Sequence, residues 1–119
     1  MTTRHAFIAS FVIATASTLA FGHAHLEGST PRDGTTVDGA TATARLQFSE
    51  RIEPALSTLT LVGPGETATP LGKVETEGTD GRVLVAQLPA LKPGAYRVQW
   101  SAMGLDGHRV RGEIRFQVK

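Results

Sequence analysis

The stretch that decides the fold is Gly94-Ala95-Tyr96-Arg97-Val98-Gln99-Trp100-Ser101-Ala102-Met103, then Gly104-Leu105-Asp106-Gly107-His108, then Arg109-Val110-Arg111-Gly112-Glu113-Ile114-Arg115-Phe116-Gln117-Val118. Tyr96, Val98, Trp100 and Ala102 alternate with Arg97, Gln99 and Ser101. Ile114, Phe116 and Val118 alternate with Glu113, Arg115 and Gln117. Successive strand residues point to opposite faces, so each run lays an apolar face on a core and a polar face in water. Asp106-Gly107 between them is hairpin chemistry. The same alternation recurs upstream. Ala44, Leu46 and Phe48 alternate with Thr43, Arg45, Gln47 and Ser49, and Leu59 and Leu61 with Thr58 and Thr60. Residues 82–88 form a further run, too evenly apolar to assign a face. Pro31-Arg32-Asp33-Gly34, Asp38-Gly39, Gly63-Pro64-Gly65, Asp80-Gly81 and Lys92-Pro93-Gly94 punctuate the runs with turn residues. No stretch sustains a helical period. The pattern predicts an all-β domain, a small antiparallel Greek-key β-sandwich of about seven strands.

Residues 1–22 read differently. Arg4 supplies a positive start, Ala6 to Phe21 are almost all apolar or small, and small residues close the run. That is the form of a cleavable secretory signal, and the run is short for a spanning helix, which needs roughly 20 apolar residues. Ala20-Phe21-Gly22 offers a cut before His23. Thr18-Leu19-Ala20 and Gly22-His23-Ala24 offer two others. Removing 1–22 from 119 residues leaves 97, enough for one small domain, 23–119, with no internal repeat or linker. The Lys+Arg count of 12 then loses only Arg4 and balances the 11 acidic residues. Balanced charge argues against nucleic acid as a partner, and no second apolar run is present to insert into a membrane. The chain has no cysteine, so an exported domain must hold itself by its core, and any metal site must use nitrogen, oxygen or thioether donors.

The histidines are unevenly placed. Beyond residue 22 there are three: His23, His25 and His108. If His23 is the mature terminus, its free amine and its Nδ1 can close one chelate ring on a metal ion, which must displace the amine's proton. Taken alone, a histidine there is an ordinary terminal residue, and Asp106-Gly107 is an ordinary turn. Together they offer an amine, two imidazoles and a carboxylate. The Asp-x-His spacing puts Asp106 and His108 on one side of a loop that Gly107 lets approach a ligand closely. His25 lies two residues from His23 and stands as a ligand, a hydrogen-bond partner of one, or a structural residue at the first strand. Nitrogen and carboxylate donors without thiolate suit Cu(II), Ni(II) or Zn(II).

These residues resemble the periplasmic copper-resistance and copper-binding proteins of the CopC family. The resemblance is carried by a signal followed by His23-Ala24-His25-Leu26-Glu27-Gly28-Ser29-Thr30-Pro31, by Leu46-Gln47-Phe48-Ser49-Glu50, and by Pro93-Gly94-Ala95-Tyr96-Arg97-Val98-Gln99-Trp100. Asp106-Gly107-His108 and Gly112-Glu113-Ile114-Arg115-Phe116 complete it. It implies a cupredoxin-like or immunoglobulin-like sandwich and a periplasmic protein that binds one Cu(II) ion through His23, Asp106 and His108. It implies cleavage after Gly22, and a multispanning copper transporter, CopD, as membrane partner. Some members carry a second, Cu(I) site in a methionine-rich loop. Residues 51–76 contain neither Met nor His, and Met103 is the one methionine beyond Met1. The chain therefore resembles the Cu(II)-only branch.

Two other classes of function compete with a binding protein. An N-terminal histidine brace is also the copper centre of lytic polysaccharide monooxygenases. Phe48, Tyr96, Trp100 and Phe116, however, fall on the apolar phase of their strands, which makes them core residues and not a sugar-stacking platform. A metal-free structural sandwich explains the strands but leaves the placing of three histidines to chance. The expectation is a non-enzymatic copper carrier or sequestering protein.

Overall fold

The computed structural model describes residues 23–119, and the leader expected over 1–22 lies outside them. Nine strands run in chain order: β1 (Leu26–Thr30), β2 (Thr35–Val37), β3 (Thr43–Phe48), β4 (Thr58–Val62), β5 (Ala68–Pro70), β6 (Glu75–Glu77), β7 (Val83–Gln87), β8 (Gly94–Met103) and β9 (Arg109–Val118). They form a four-stranded sheet, β1-β3-β7-β6, and a five-stranded sheet, β2-β9-β8-β4-β5. The chain changes sheet between β1 and β2, β2 and β3, β3 and β4, β5 and β6, and β7 and β8. That connectivity makes a Greek-key, immunoglobulin-like sandwich. The Tyr96 hydroxyl donates to the Lys92 carbonyl at 2.7 Å, the tyrosine corner of such folds.

The strand count exceeds the expected seven because three short edge strands lack alternation. Ala68-Thr69-Pro70 and Glu75-Thr76-Glu77 are exposed throughout, and a proline or charges on an edge strand deter further pairing. The third, β2, departs from the antiparallel expectation. It runs parallel to the end of β9, pairing Thr35 with Phe116 and Val37 with Val118. The Asp33-Gly34 turn produces this switch of sheet. Gly34 takes φ +78°, the Gly34 amide donates to the Arg115 carbonyl at 2.7 Å, and the Arg115 amide donates to Asp33 Oδ1 at 2.8 Å.

The core lies between the sheets. Ala44, Leu46 and Phe48 of β3 and Leu84 and Ala86 of β7 face Leu59 and Leu61 of β4. Val98, Trp100 and Ala102 of β8 and Ile114, Phe116 and Val118 of β9 join them, and Ala24, Ile52, Leu71, Leu88 and Leu91 outside these strands fill the rest. Fully burying a large apolar side chain is worth about 1.5–3 kcal/mol, and with no disulfide this burial is what the conformational entropy of folding works against. The 82–88 run resolves here, with Leu84 and Ala86 inward and Val83 and Val85 on the half-covered outer face. The Phe48 and Trp100 rings meet edge to face at 5.1 Å. Trp100 pairs with Gly112 across the β8–β9 ladder, and its indole lies over that glycine. A Cβ at Gly112 would stand 2.5 Å from Trp100 Cζ2 and 2.9 Å from Cε2.

Gly112→Ala is therefore expected to displace the indole and destabilise the domain by about 1–3 kcal/mol. Urea unfolding reads the midpoint, and fluorescence reads the single tryptophan. An unchanged midpoint with unchanged emission contradicts this packing.

Candidate metal centre

β8 and β9 pair over ten residues each, from Gly94–Val118 to Met103–Arg109, and the ladder ends at the loop that carries Asp106 and His108. Gly104 N donates to the His108 carbonyl at 3.0 Å, and Gly107 N to the Gly104 carbonyl at 3.1 Å. Gly107 takes φ +80°, so the hairpin closes through a three-residue loop with glycine in the left-handed position. Asp106 Oδ1 accepts the His108 amide at 2.9 Å, an Asx turn that fixes the carboxylate beside its own loop. The other oxygen, Oδ2, lies 3.1 Å from His108 Nδ1.

His23 reaches this loop from the far end of the four-stranded sheet. β1 pairs with β3, but the register slips between Leu26, opposite Phe48, and Gly28, opposite Gln47, leaving Glu27 as an extra residue. Bulges re-aim side chains, because a one-residue shift exchanges the faces of everything beyond it. Extending the register of Ser29 opposite Leu46 without the bulge would turn Glu27, His25 and His23 toward the core. With it, Ala24 is 5 % exposed, Leu26 packs on the core, and His23 and His25 are exposed.

His23, Asp106 and His108 each offer one donor atom, and these three atoms lie within 4.8 Å of one another. His23 Nδ1 is 3.6 Å from Asp106 Oδ2, and the two imidazole rings are 4.3 Å apart, tilted by 59°. Ligands about 2.0 Å from a shared ion stand at most about 4 Å apart, so small rotations of exposed side chains close the group on a metal. His25 is outside this group. The backbone of His25 is instead tied to Ser49, whose Oγ accepts the His25 amide at 3.0 Å. The sequence pattern brought the three candidate donors to notice but not Ser49 or the bulge. The signal for the bulge is a break of phase, with Ala24 and Leu26 apolar at even positions and the next inward residue at Ser29.

The Asp106 carboxyl is held below the usual carboxylate range. The His108 backbone amide is the main cause, then the His108 side chain; partial desolvation opposes them. The His23 contact contributes least, as its 3.6 Å separation is too long for a hydrogen bond. A depressed value means the charged form stabilises the loop above the ordinary carboxylate pKa, and that stabilisation is lost as pH falls through the folded value. In a carbon-detected NMR titration of metal-free protein, Asp106 should titrate below the reference carboxyl. His108→Ala should raise it only part of the way, since the backbone amide remains. A midpoint at the reference value in the wild type contradicts the Asx turn.

The chain matches the CopC domain family over residues 26–119, a span that includes Asp106 and His108 and begins three residues after His23. It is 38 % identical over 112 residues to copper resistance protein C of Xanthomonas campestris pv. juglandis, covering 87 % of this chain and 86 % of that one. Two solved structures share the architecture. CopC from Methylosinus trichosporium OB3b gives a TM-score of 0.74 at 24 % identity, covering 82 % of this chain and 94 % of that one. PcoC, described as a methionine-rich copper resistance protein from Escherichia coli, gives 0.64 at 31 %, covering 82 % of this chain and all of that one. With the domain matched over nearly all the described residues, and a relative this similar along most of its own length, the chain belongs to the CopC family of copper-resistance proteins.

Proposed function

We propose that the protein is a periplasmic Cu(II) carrier or store that binds one ion through the amine and imidazole of His23, the Asp106 carboxylate and the His108 imidazole. The observation that carries this reading is the convergence of His23 and the Asp106–His108 loop, 83 to 85 positions apart in sequence, with donor atoms within 4.8 Å. A nitrogen-rich set with one carboxylate suits tetragonal Cu(II), the divalent ion at the top of the first-row affinity order. Kinship with copper resistance proteins supports copper over nickel or zinc. A leader over residues 1–22 directs the domain to the compartment where Cu(II) persists, and its removal supplies the free amine.

Two features favour binding over oxidase chemistry. Phe48, Trp100 and Phe116 are buried, and Tyr96 stacks on Phe116 at 5.7 Å, so these rings are committed to the core and form no exposed platform for a glycan. A carboxylate in the ligand set also occupies a position that oxygen activation needs open. With Met103 the sole methionine after Met1, the site works as a Cu(II) centre without a thioether partner site, and a CopD-like membrane transporter is the natural recipient of its cargo.

Protein processed to begin at His23 should bind Cu(II) one to one in a chelator competition, with nitrogen hyperfine structure in its electron paramagnetic resonance spectrum. His23→Ala and His108→Ala should each weaken binding by at least about tenfold, the effect of losing roughly 1.4 kcal/mol. Equal affinity in His23→Ala, or an intact mass placing the mature terminus elsewhere, removes the site from consideration.

A further inference from the structure

Residues 49–57, between β3 and β4, touch both halves of the metal centre. At one end Ser49 grips His25 twice: its Oγ accepts the His25 amide at 3.0 Å, and its own amide donates to the His25 carbonyl at 2.9 Å. At the other end Ser57, the one buried polar residue among the described residues, accepts the Met103 amide at 3.0 Å and donates to the Glu53 carbonyl at 2.7 Å. Between them the Glu53 amide donates to the Met103 carbonyl at 2.8 Å. Ile52, 2 % exposed, forms an isolated bridge with Gly104. Arg109, just after His108, donates from Nη1 to the Leu56 carbonyl at 2.8 Å. One short segment thus holds the backbone two residues from His23, the backbone just before the Asp106–His108 loop and the Arg109 side chain just after it.

The ligand side chains cannot set this spacing themselves. Their exposures are 57 % for His23, 38 % for Asp106 and 62 % for His108, so packing restrains the two imidazoles little, and the Asx turn ties the Asp106 carboxylate only to its own loop. His23 to His25 also precede β1 and have no strand partners of their own. Among the described residues, the arm is held by the buried methyl of Ala24 and the Ser49 pair, apart from the contacts of His23 with the other two candidate ligands. A metal that had to order a loose arm would lose affinity to the entropy of fixing it.

We infer that residues 49–57 act as a strut that presets the distance between the N-terminal arm and the hairpin loop, with Ser49 and Ser57 as positioning residues for Cu(II) binding. This rests on the reading that His23, Asp106 and His108 hold the ion. Ser49 sits at the more informative end, because it is half-exposed and its hydroxyl serves the arm and not the core.

The test uses processed protein beginning at His23 and four chains: wild type, Ser49→Ala, Ser49→Thr and His108→Ala. Ser49→Ala should keep the thermal midpoint of the metal-free domain while weakening Cu(II) about three- to tenfold, the size expected from one lost hydrogen bond. Its copper hyperfine parameters should differ from wild type, and Ser49→Thr, which keeps the hydroxyl, should restore both. Amide exchange in the metal-free protein gives an independent reading, with His25 protected in wild type and Ser49→Thr and unprotected in Ser49→Ala. Wild-type affinity and spectrum in Ser49→Ala, with His108→Ala still weakened, overturns the strut and leaves the site standing. Wild-type binding in His108→Ala overturns the site, and the strut with it.

Discussion

The ten-pair ladder between β8 and β9 is the interaction on which the rest of this molecule depends. Its inner face supplies Val98, Trp100, Ala102, Ile114, Phe116 and Val118 to a core that no disulfide reinforces. Its far end anchors β2, which closes part of the outer edge of β9 by parallel pairing. Its near end leaves five residues, Gly104 to His108, to turn the chain and present two candidate metal donors. The same register therefore governs packing at one end and chemistry at the other. Trp100 over Gly112 shows how tightly the two are joined, since the indole occupies the space where a side chain on the opposite strand would stand.

The N-terminal half of the site works by a different device. A strand with its regular period would turn both early histidines toward the core and expose Ala24 and Leu26. One extra residue at Glu27 reverses this. The reversal is favoured because it buries two apolar side chains and leaves two imidazoles in water, where a polar group needs no internal partner. The candidate metal centre is thus assembled by two irregularities in otherwise regular strands, a bulge and a tight loop. Both are backed by residues 49–57. Because its candidate donors are exposed, the proposed centre lies open to solvent and not within the core. The cost of that openness is that order must come from the backbone behind the site.

Much of the architecture was legible along the chain, for a physical reason. Period-two alternation in β3, β4, β8 and β9 is a direct consequence of burying one face, so the runs around Phe48, Leu61, Trp100 and Phe116 announced themselves. β2, β5 and β6 did not, because three residues are too few to carry a hydrophobic period: β5 and β6 are wet on both faces, and β2 offers only Val37 to the core. The even run at 82–88 was ambiguous since its outer face is itself half covered. Of the candidate site, Asp106 and His108 were legible as a pair because they share one short loop.

By itself the sequence determined the class of fold, the core-facing phase of the long strands, the hairpin turn at Asp106-Gly107, and a donor set without thiolate. These depend on local spacing and residue chemistry, which the chain carries from end to end. Tertiary structure alone decided that His23 meets Asp106 and His108 while the His25 backbone is tied to Ser49, and that residues 49–57 touch both halves of the site. Those outcomes depend on register between strands distant in sequence, and a single bulged residue is enough to turn both early histidines out of the core and onto the surface where the candidate site lies.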